Sequence, residues 1–169
     1  MIIHTIPVGY LKANCYILEK NNKVIIIDPG SEYDKISPVI KNKEIIKILI
    51  THYHQDHIGA LENFNKKLIL NNPEEKSYFF PPFKFKVIYT KGHTADSVTF
   101  YFEEQKAMFT GDFIFKENIG RTDLPTGNIE DMRQSLKIIK NYPNDIIIYP
   151  GHGPKTNLKQ EKEKNYFLR

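Results

Sequence analysis

The sequence has too few cysteines for a disulfide, and it has no long apolar run. Its 169 residues include one cysteine, no tryptophan and three arginines. Cys15 cannot form a disulfide within the chain, and its apolar neighbours in ANCYIL favour a buried side chain over a reactive thiol. No apolar run approaches the ~20 residues needed to cross a bilayer, and the N-terminus lacks the charged and apolar regions of a secretion signal. We therefore expect a cytoplasmic protein that does not bind membranes.

The charge pattern argues against a nucleic-acid partner. The formal net charge is +4, and the lysines are spread along the chain without a basic run interleaved with aromatic residues. This pattern is typical of a solvated lysine-rich surface, although it favours anionic small molecules as substrates. The length and the 40% hydrophobic content predict a single globular domain over residues 1–169.

Short apolar runs alternate with polar and helical segments along the whole chain. The runs of strand length are MIIHTIPV, NCYILEK, KVIIID, IIKILIT, KLILN, FKVIYT, SVTFYFE, KAMFT and DIIIYP. Helical candidates are EYDKISPVIKN, HIGALENFN and IEDMRQSLKIIKNY, the last with Ile129, Met132, Leu136 and Ile139 at helical spacing. This order predicts a layered α/β sandwich made of two strand-rich halves with helices outside.

Half of the six histidines fall within one short stretch, THYHQDH. In an extended segment, His52 and His54 point to the same side, so both imidazoles can reach one metal ion. Asp56 and His57 follow as the chain turns into a helical segment, and they point elsewhere. The stretch therefore predicts ligands for two neighbouring ions.

Two more histidines and an aspartate follow strand-like runs in a common pattern. VIYT, AMFT and IIIYP are followed, directly or after one residue, by a glycine and then by His93, Asp112 or His152. Glycine lets the backbone turn sharply as it leaves a strand, so the next side chain can point into a shared crevice. We expect these three side chains to meet the THYHQDH ligands there.

The spacing predicts a dinuclear metal site rather than a single structural zinc. One ion would bind His52, His54 and His93, the other Asp56, His57 and His152, and Asp112 would bridge them. Structural zinc sites are usually closed by four ligands, often cysteines, whereas these seven candidates include no cysteine. The pattern therefore favours catalysis, and His4, which lies outside it in an alternating strand, is expected to be an ordinary hydrogen-bonded residue.

With these residues in place, the sequence resembles the metallo-β-lactamase superfamily, whose signature matches HYHQDH and whose later ligands match His93, Asp112 and His152. The segments IIIDPG, GHTADSVTFYF, TGDFIFKENIGRTDLPTGN and GHGPKTNLKQEKEKNYFL extend the resemblance to the compact hydroxyacylglutathione hydrolase-like branch, the type II glyoxalases. The resemblance implies a four-layer αββα sandwich with the metal site at one edge of the paired sheets.

Departures from related families narrow the prediction. Class B β-lactamases usually carry a cysteine where Asp112 stands, and flavodiiron proteins carry a glutamate where His54 stands, so neither is favoured. Type II glyoxalases add a C-terminal helical domain that contacts glutathione, whereas about sixteen residues follow Gly153 here. The resemblance therefore does not fix glutathione as the thiol carrier.

The resemblance and the ligand set together predict a metal-dependent hydrolase acting on an anionic thioester such as S-lactoylglutathione. The cofactor would be two divalent cations, zinc in the first place, although iron and manganese suit the same ligands. Asp56 and Asp112 would be catalytic, because they would hold the hydroxide shared by the two ions. Arg121 in GRTD is a candidate for binding the anionic substrate, and Asp28 in IIIDPG either orients a histidine ligand or simply forms a turn.

Two alternatives stay open at this level. A persulfide dioxygenase would use a single Fe(II) held by His52, His93 and Asp112, two histidines and one carboxylate. A metal-dependent binding module without turnover is the other. The sequence does not indicate the oligomeric state.

Overall fold

Two large β-sheets form the centre of the protein, whose computed structural model describes all 169 residues. The first sheet has four strands in the order β1-β2-β3-β4, with β3 and β4 parallel and the other pairs antiparallel. Its strands are β1 Ile2–Val8, β2 Ala13–Lys20, β3 Lys23–Ile27 and β4 Glu44–Leu49.

The second sheet has six strands in the order β12-β11-β8-β7-β6-β5, and only β11 and β8 run parallel. A short hairpin, β9 Ile114–Phe115 and β10 Asn118–Ile119, stands apart from both sheets. The strands of the second sheet are β5 Ser77–Phe80, β6 Phe83–Tyr89, β7 Val98–Phe102, β8 Ala107–Gly111, β11 Ile147–Pro150 and β12 Thr156–Asn157.

The two sheets bury a shared apolar core, in which Ile25 and Leu49 of the first sheet cluster with Phe100 and Phe109 of the second. Helices cover the outer faces, with α1 on the first sheet and both α3 and α4 on the second. The helices are α1 Tyr33–Ile40, α2 Gln55–Ile58, α3 Ile129–Lys140 and α4 Leu158–Lys164. This arrangement confirms the predicted αββα sandwich.

Three of the predicted segments differ from their form in the structure. KLILN was expected to be a strand, but it forms a 3₁₀ turn over Lys66–Leu68 and one isolated bridge to β4. HIGALENFN was expected to be one helix, but α2 ends at Ile58 because the next amides bond elsewhere, Ala60 N–H donating to the carbonyl of Pro29. Ile129 lies in the first turn of α3 and is 41% exposed, whereas the other three residues of the predicted apolar face are buried.

None of the helices has the length and apolar character needed to cross a bilayer. The predicted ligands all lie in the segments that follow four strands, β4, β6, β8 and β11, and Asp56 and His57 lie in α2 after β4. The fold therefore brings these segments to one edge of the paired sheets.

Candidate metal centre

Glycines shape two of the turns that present the predicted ligands and make room in the third. Gly92 and Gly111 have φ values of +141° and +52°, which residues with a side chain rarely adopt. Gly151 is needed for space, because a Cβ there would lie 2.1 Å from Asp112 Oδ1. The predicted role of glycine as a turn former therefore fits the first two positions, and close approach explains the third.

Three imidazoles converge in the first group of predicted ligands. His54 Nδ1 lies 3.1 Å from His52 Nε2 and 2.9 Å from His93 Nε2. Nitrogens bound at about 2.0–2.1 Å to one tetrahedral ion would be roughly 3.3 Å apart, so this spacing is close to that of a metal site. His52 and His93 are buried, and His54 is half-buried.

The second group joins a carboxylate to two imidazoles. Asp56 Oδ2 lies 3.2 Å from His152 Nε2 and 3.6 Å from His57 Nε2. His57 is fully buried, whereas Asp56 and His152 are half-buried at the edge of an open cavity. The group is therefore accessible from one side.

The carboxylate of Asp112 contacts both groups. Its Oδ1 lies 3.3 Å from His57 Nε2, and its Oδ2 lies 3.5 Å from both His93 Nε2 and His152 Nε2. Asp112 Oδ1 and His57 Nε2 are buried without any hydrogen-bond partner, an arrangement that is costly unless another group satisfies them. A cation between the two atoms would do so, and the nitrogen and oxygen donors suit zinc, iron or manganese. The residues present therefore fit a pair of divalent cations.

Asp28 and Thr51 contact the Nδ1 atoms of the buried histidines His57 and His52. Asp28 accepts hydrogen bonds from the Thr51 N–H at 2.8 Å and the Thr51 hydroxyl at 2.6 Å, and its Oδ2 lies 2.9 Å from His57 Nδ1. The Thr51 hydroxyl also lies 3.1 Å from His52 Nδ1. Asp28 thus orients a predicted ligand and also makes a turn, with φ of +51°. Thr51 was not predicted, although its position between β4 and His52 is a signal that could have suggested it.

Main-chain carbonyls fix two further histidines. His93 Nδ1 lies 2.7 Å from the carbonyl oxygen of Arg121, and His152 Nδ1 lies 3.0 Å from that of Leu11. Because a carbonyl only accepts, each Nδ1 carries the proton and each Nε2 keeps its lone pair for a metal.

Without a cation, the histidines differ in protonation. Burial, together with the charge of His57, lowers the pKa of His52 to about 2, so this imidazole is neutral. Burial also lowers the pKa of His57, but the adjacent Asp112 and Asp28 carboxylates outweigh it and raise that pKa. The hydrogen bond to Asp56 raises the pKa of His152. A cation binding to the second group would therefore replace protons held there.

A cavity of about 470 Å³ opens over both groups. Five of its lining residues are predicted ligands, and Leu11, Gln55, Arg121 and Leu124 complete the wall. No serine, cysteine or lysine lines it. A protein nucleophile is therefore missing from this cavity, and water is the available one.

Arg121 lies at the cavity, but its charge is already paired. Its guanidinium donates to both carboxylate oxygens of Asp123 at 2.7 and 2.8 Å. Its clearest contact with the site is the carbonyl that holds His93, so substrate binding by the side chain stays a prediction. Cys15 is buried and His4 pairs with Glu19 at 3.1 Å, so neither takes part in the centre.

Comparisons with known proteins agree with the fold. The sequence profile of the metallo-beta-lactamase superfamily matches residues 8–84 and 65–152. Hydroxyacylglutathione hydrolase GloC of Haemophilus influenzae is 32% identical over 209 residues, covering 99% of this chain and 98% of that protein.

Two solved structures superpose over nearly the whole chain. The BLEG-1 B3 metallo-beta-lactamase gives a TM-score of 0.92 at 28% identity, covering 99% of both chains. TTHA1623 in a di-iron-bound form gives 0.88 at 28% identity, covering 98% of this chain and 100% of the other. The chain belongs to the metallo-beta-lactamase superfamily, whose members bind divalent metals and are generally hydrolases.

Proposed function

We propose that the protein is a dinuclear metal-dependent hydrolase that cleaves anionic thioesters such as S-lactoylglutathione. The observation that carries the proposal is the position of Asp112 between two complete groups of three ligands. A mononuclear centre at the first group would leave the second group, with the buried unpartnered Nε2 of His57, without a role. The similarity to hydroxyacylglutathione hydrolase GloC supports the choice of a thioester.

In this proposal His52, His54 and His93 would hold one cation, Asp56, His57 and His152 would hold the other, and Asp112 would contact both. Two bound divalent cations would polarise a carbonyl and lower the pKa of water from 15.7 toward about 7. Asp56 Oδ2 and Asp112 Oδ2 both lie within 3.5 Å of His152 Nε2, so the two carboxylates face the same space. Both can accept a hydrogen bond from an attacking water and hold it toward the substrate, which is the catalytic role we assign to them.

The residues around the cavity suit a substrate that has a good leaving group. A thiol has an ordinary pKa of about 8.5, so a departing thiolate needs little protonation. Apart from the ligands, the lining offers no carboxylic acid or histidine that could act as a dedicated general acid. A thioester is therefore a better substrate for this cavity than an amide, because an amine is a poor leaving group without a proton donor.

We assign zinc as the first choice for both positions. Imidazole and carboxylate donors also suit iron and manganese, and the similar TTHA1623 structure was solved in a di-iron-bound form. Zinc remains a proposal that metal analysis can test directly.

The alternative, a mononuclear Fe(II) persulfide dioxygenase, would use His52, His93 and Asp112. These three side chains are in contact, with Asp112 Oδ2 3.5 Å from His93 Nε2. The dioxygenase would nevertheless leave four of the seven converging side chains unused, and for this reason we favour the hydrolase.

Metal analysis of protein purified without added metal, combined with three activity assays, tests the proposal. The assays are hydrolysis of S-lactoylglutathione, oxygen uptake on glutathione persulfide and opening of a β-lactam. Two metal equivalents with thioester hydrolysis are expected. One iron with oxygen uptake, opening of the β-lactam alone, or bound metal without any turnover would each contradict the proposed activity.

A further inference from the structure

The segment that follows the β9-β10 hairpin contacts two of the predicted ligands. Gly120 comes directly after β10, and a Cβ there would lie 1.7 Å from the carbonyl oxygen of Asp112 and 3.2 Å from His93 Nδ1. The next residue, Arg121, has the carbonyl oxygen that lies 2.7 Å from His93 Nδ1. The chain leaving the hairpin is therefore packed against the main chain of Asp112 and the ring of His93.

The hairpin itself is too small to fix its own position. Each strand has two residues and pairs with neither large sheet, and an isolated two-stranded ribbon is marginally stable in water. β9 has an apolar anchor, because Ile114 is fully buried in the cluster under α3 and α4. β10 is anchored less firmly, since Asn118 is exposed and Ile119 is only half-buried. The strand that leads to Gly120 and Arg121 therefore needs another support.

A buried carboxyl group on α4 supplies that support. Glu161 lies in KQEKEK, where alternating charges are typical of a solvated surface, yet it is completely buried. Its Oε2 accepts from the main-chain N–H of Glu117, in the turn between β9 and β10, at 2.8 Å. Oε2 also accepts from the Asn165 amide at 2.9 Å, and Oε1 accepts from the Thr156 hydroxyl at 2.6 Å. None of these donors is charged, so hydrogen bonds offset the cost of burying the group.

Asn165 extends the support to β10. It follows α4 directly, is completely buried, and donates from Nδ2 to the carbonyl of Asn118 at 2.9 Å as well as to Glu161. Glu117, just before Asn118, has a φ of +61°, which residues with a side chain rarely adopt, so the bond from its N–H offsets the cost of a strained turn. Both residues that begin the β10 side of the hairpin are thus tied to the C-terminal segment.

We infer that Glu161 and Asn165 are positioning residues for the metal centre, which act through the β9-β10 hairpin on the carbonyl that holds His93. His93 Nδ1 donates to that carbonyl, so a displaced hairpin would let the imidazole turn and aim its Nε2 away from a cation. The inference rests on the proposed dinuclear centre, but it does not depend on which substrate is hydrolysed. A purely structural role would instead lower stability without changing the affinity for metal.

Two substitutions at one position test the inference through metal affinity. The thioether of Glu161→Met is too weak an acceptor to replace the bonds from Glu117 and Asn165, whereas Glu161→Gln can keep its carbonyl oxygen on both donors and turn its amide to the Thr156 hydroxyl oxygen. Glu161→Met should raise the apparent Kd for zinc about tenfold, as expected for losing a contact that supports a ligand. Glu161→Gln should retain the wild-type Kd. Competition with a chromophoric chelator measures both values.

Ile36→Ala is the control for a loss of stability alone. Ile36 is fully buried under α1, in a cluster that contains neither a predicted ligand nor a residue of the hairpin, so its truncation should lower Tm and leave the Kd unchanged. Asn165→Ser provides a milder test in case Glu161→Met does not fold. It removes the bond to Asn118 but leaves Glu161 bonded to Glu117, and it should raise the Kd by less than Glu161→Met does.

Nuclear magnetic resonance gives a measurement on His93 itself. In the zinc-loaded protein its Nδ1 proton is hydrogen-bonded to the Arg121 carbonyl, which slows exchange with water and shifts the resonance downfield. The resonance can be assigned by its absence from His93→Gln. Glu161→Met should move it upfield or broaden it through faster exchange, whereas Glu161→Gln and Ile36→Ala should leave it unchanged.

The outcomes separate the inference from the proposed function. A wild-type Kd and an unmoved His93 resonance in Glu161→Met, or in Asn165→Ser if only that variant folds, would overturn the positioning role. An equal rise of the Kd in Ile36→Ala, or in Glu161→Gln, would overturn it as well. A wild-type protein that binds two zinc ions but hydrolyses no thioester would overturn the proposed substrate and leave this inference standing.

Discussion

At the scale of single residues, Asp112 differs from the other predicted ligands because both of its carboxylate oxygens are engaged. One oxygen faces His57 and the other faces His93 and His152. Neutralising it would remove the carboxylate that lies within 3.5 Å of both groups, and two cations close together repel each other without such a bridge.

Asp112→Asn should therefore bind fewer than two metal equivalents and lose thioester turnover by about 100-fold or more, since ligand loss should exceed the ~10–100-fold effect of losing a supporting contact. Metal content by mass spectrometry and steady-state kinetics measure the two effects. Asp145→Asn is the control, because Asp145 is exposed and pairs with Lys106 away from the centre. Normal turnover with two metals in Asp112→Asn would show that Asp112 does not bridge.

The side chains of the site were predictable to different degrees. Histidine and aspartate can bind a metal ion wherever they occur in a sequence, so their spacing after strands predicts a shared site. The structure brings all seven of these side chains together. The carbonyls of Leu11 and Arg121 could not be predicted, because every residue has a carbonyl and only the folded chain selects which one faces a histidine. The Arg121 side chain shows the converse problem, since its partner Asp123 neutralises a charge that looked available.

At the scale of elements, the beginning of β2 holds the loop that carries His152. Asn14 Nδ2 donates to the carbonyls of Pro150 at 3.0 Å and Gly153 at 2.9 Å, and Asn14 N–H donates to that of Gly151 at 2.7 Å. Ala13 also forms an isolated bridge with His152. A strand of the first sheet thus positions a ligand delivered by the second sheet.

Asn14→Asp should weaken the second metal position selectively. A carboxylate cannot donate to the two carbonyls that the amide satisfies, so the His152 loop should shift. We expect metal content to fall from about two equivalents toward one, with a matching change in the visible spectrum of the cobalt-substituted protein. The first group, which makes no contact with Asn14, should keep its ion.

Asn22→Asp is a suitable control for this experiment. Asn22 also donates a side-chain hydrogen bond to a carbonyl, that of Asn42, but in an exposed turn away from the centre. Retention of two equivalents in Asn14→Asp, or equal loss in Asn22→Asp, would contradict a positioning role for Asn14.

Element prediction succeeded where packing and local pattern agree. The residues 24–27 and 98–102 are buried throughout, and their apolar runs predict the strands that form there. KLILN is also a short apolar run, but it lies outside the four-strand ladder and is only half-buried, and a 3₁₀ turn forms there instead of a strand. The edge strand Ser77–Phe80 was missed because its alternating exposure gives a short and weak signal.

At the scale of the whole molecule, the apolar core and the metal centre are separate. Three clusters of buried hydrophobic residues account for the core, and none contains a predicted ligand. The family and the αββα sandwich follow from the sequence, whereas a single domain over residues 1–169 stays a prediction. Because these clusters pack without the ligand side chains, we expect the fold to form without bound metal.

Removing metal should consequently lower stability without unfolding the protein. A ligand present at 100 times its Kd stabilises the native state by about 2.7 kcal/mol, and 1 kcal/mol shifts Tm by roughly 2–4 °C for a chain of this size. Dialysis against a chelator should therefore lower Tm by about 5–10 °C while the far-ultraviolet circular dichroism at 25 °C stays unchanged, and added zinc should restore Tm. Asp112→Asn should show a smaller drop on chelation, because it has less metal to lose. Loss of secondary structure in the chelated wild type at 25 °C would mean that the cations hold the fold together, as in a structural zinc protein, and would contradict a core that is independent of the metal centre.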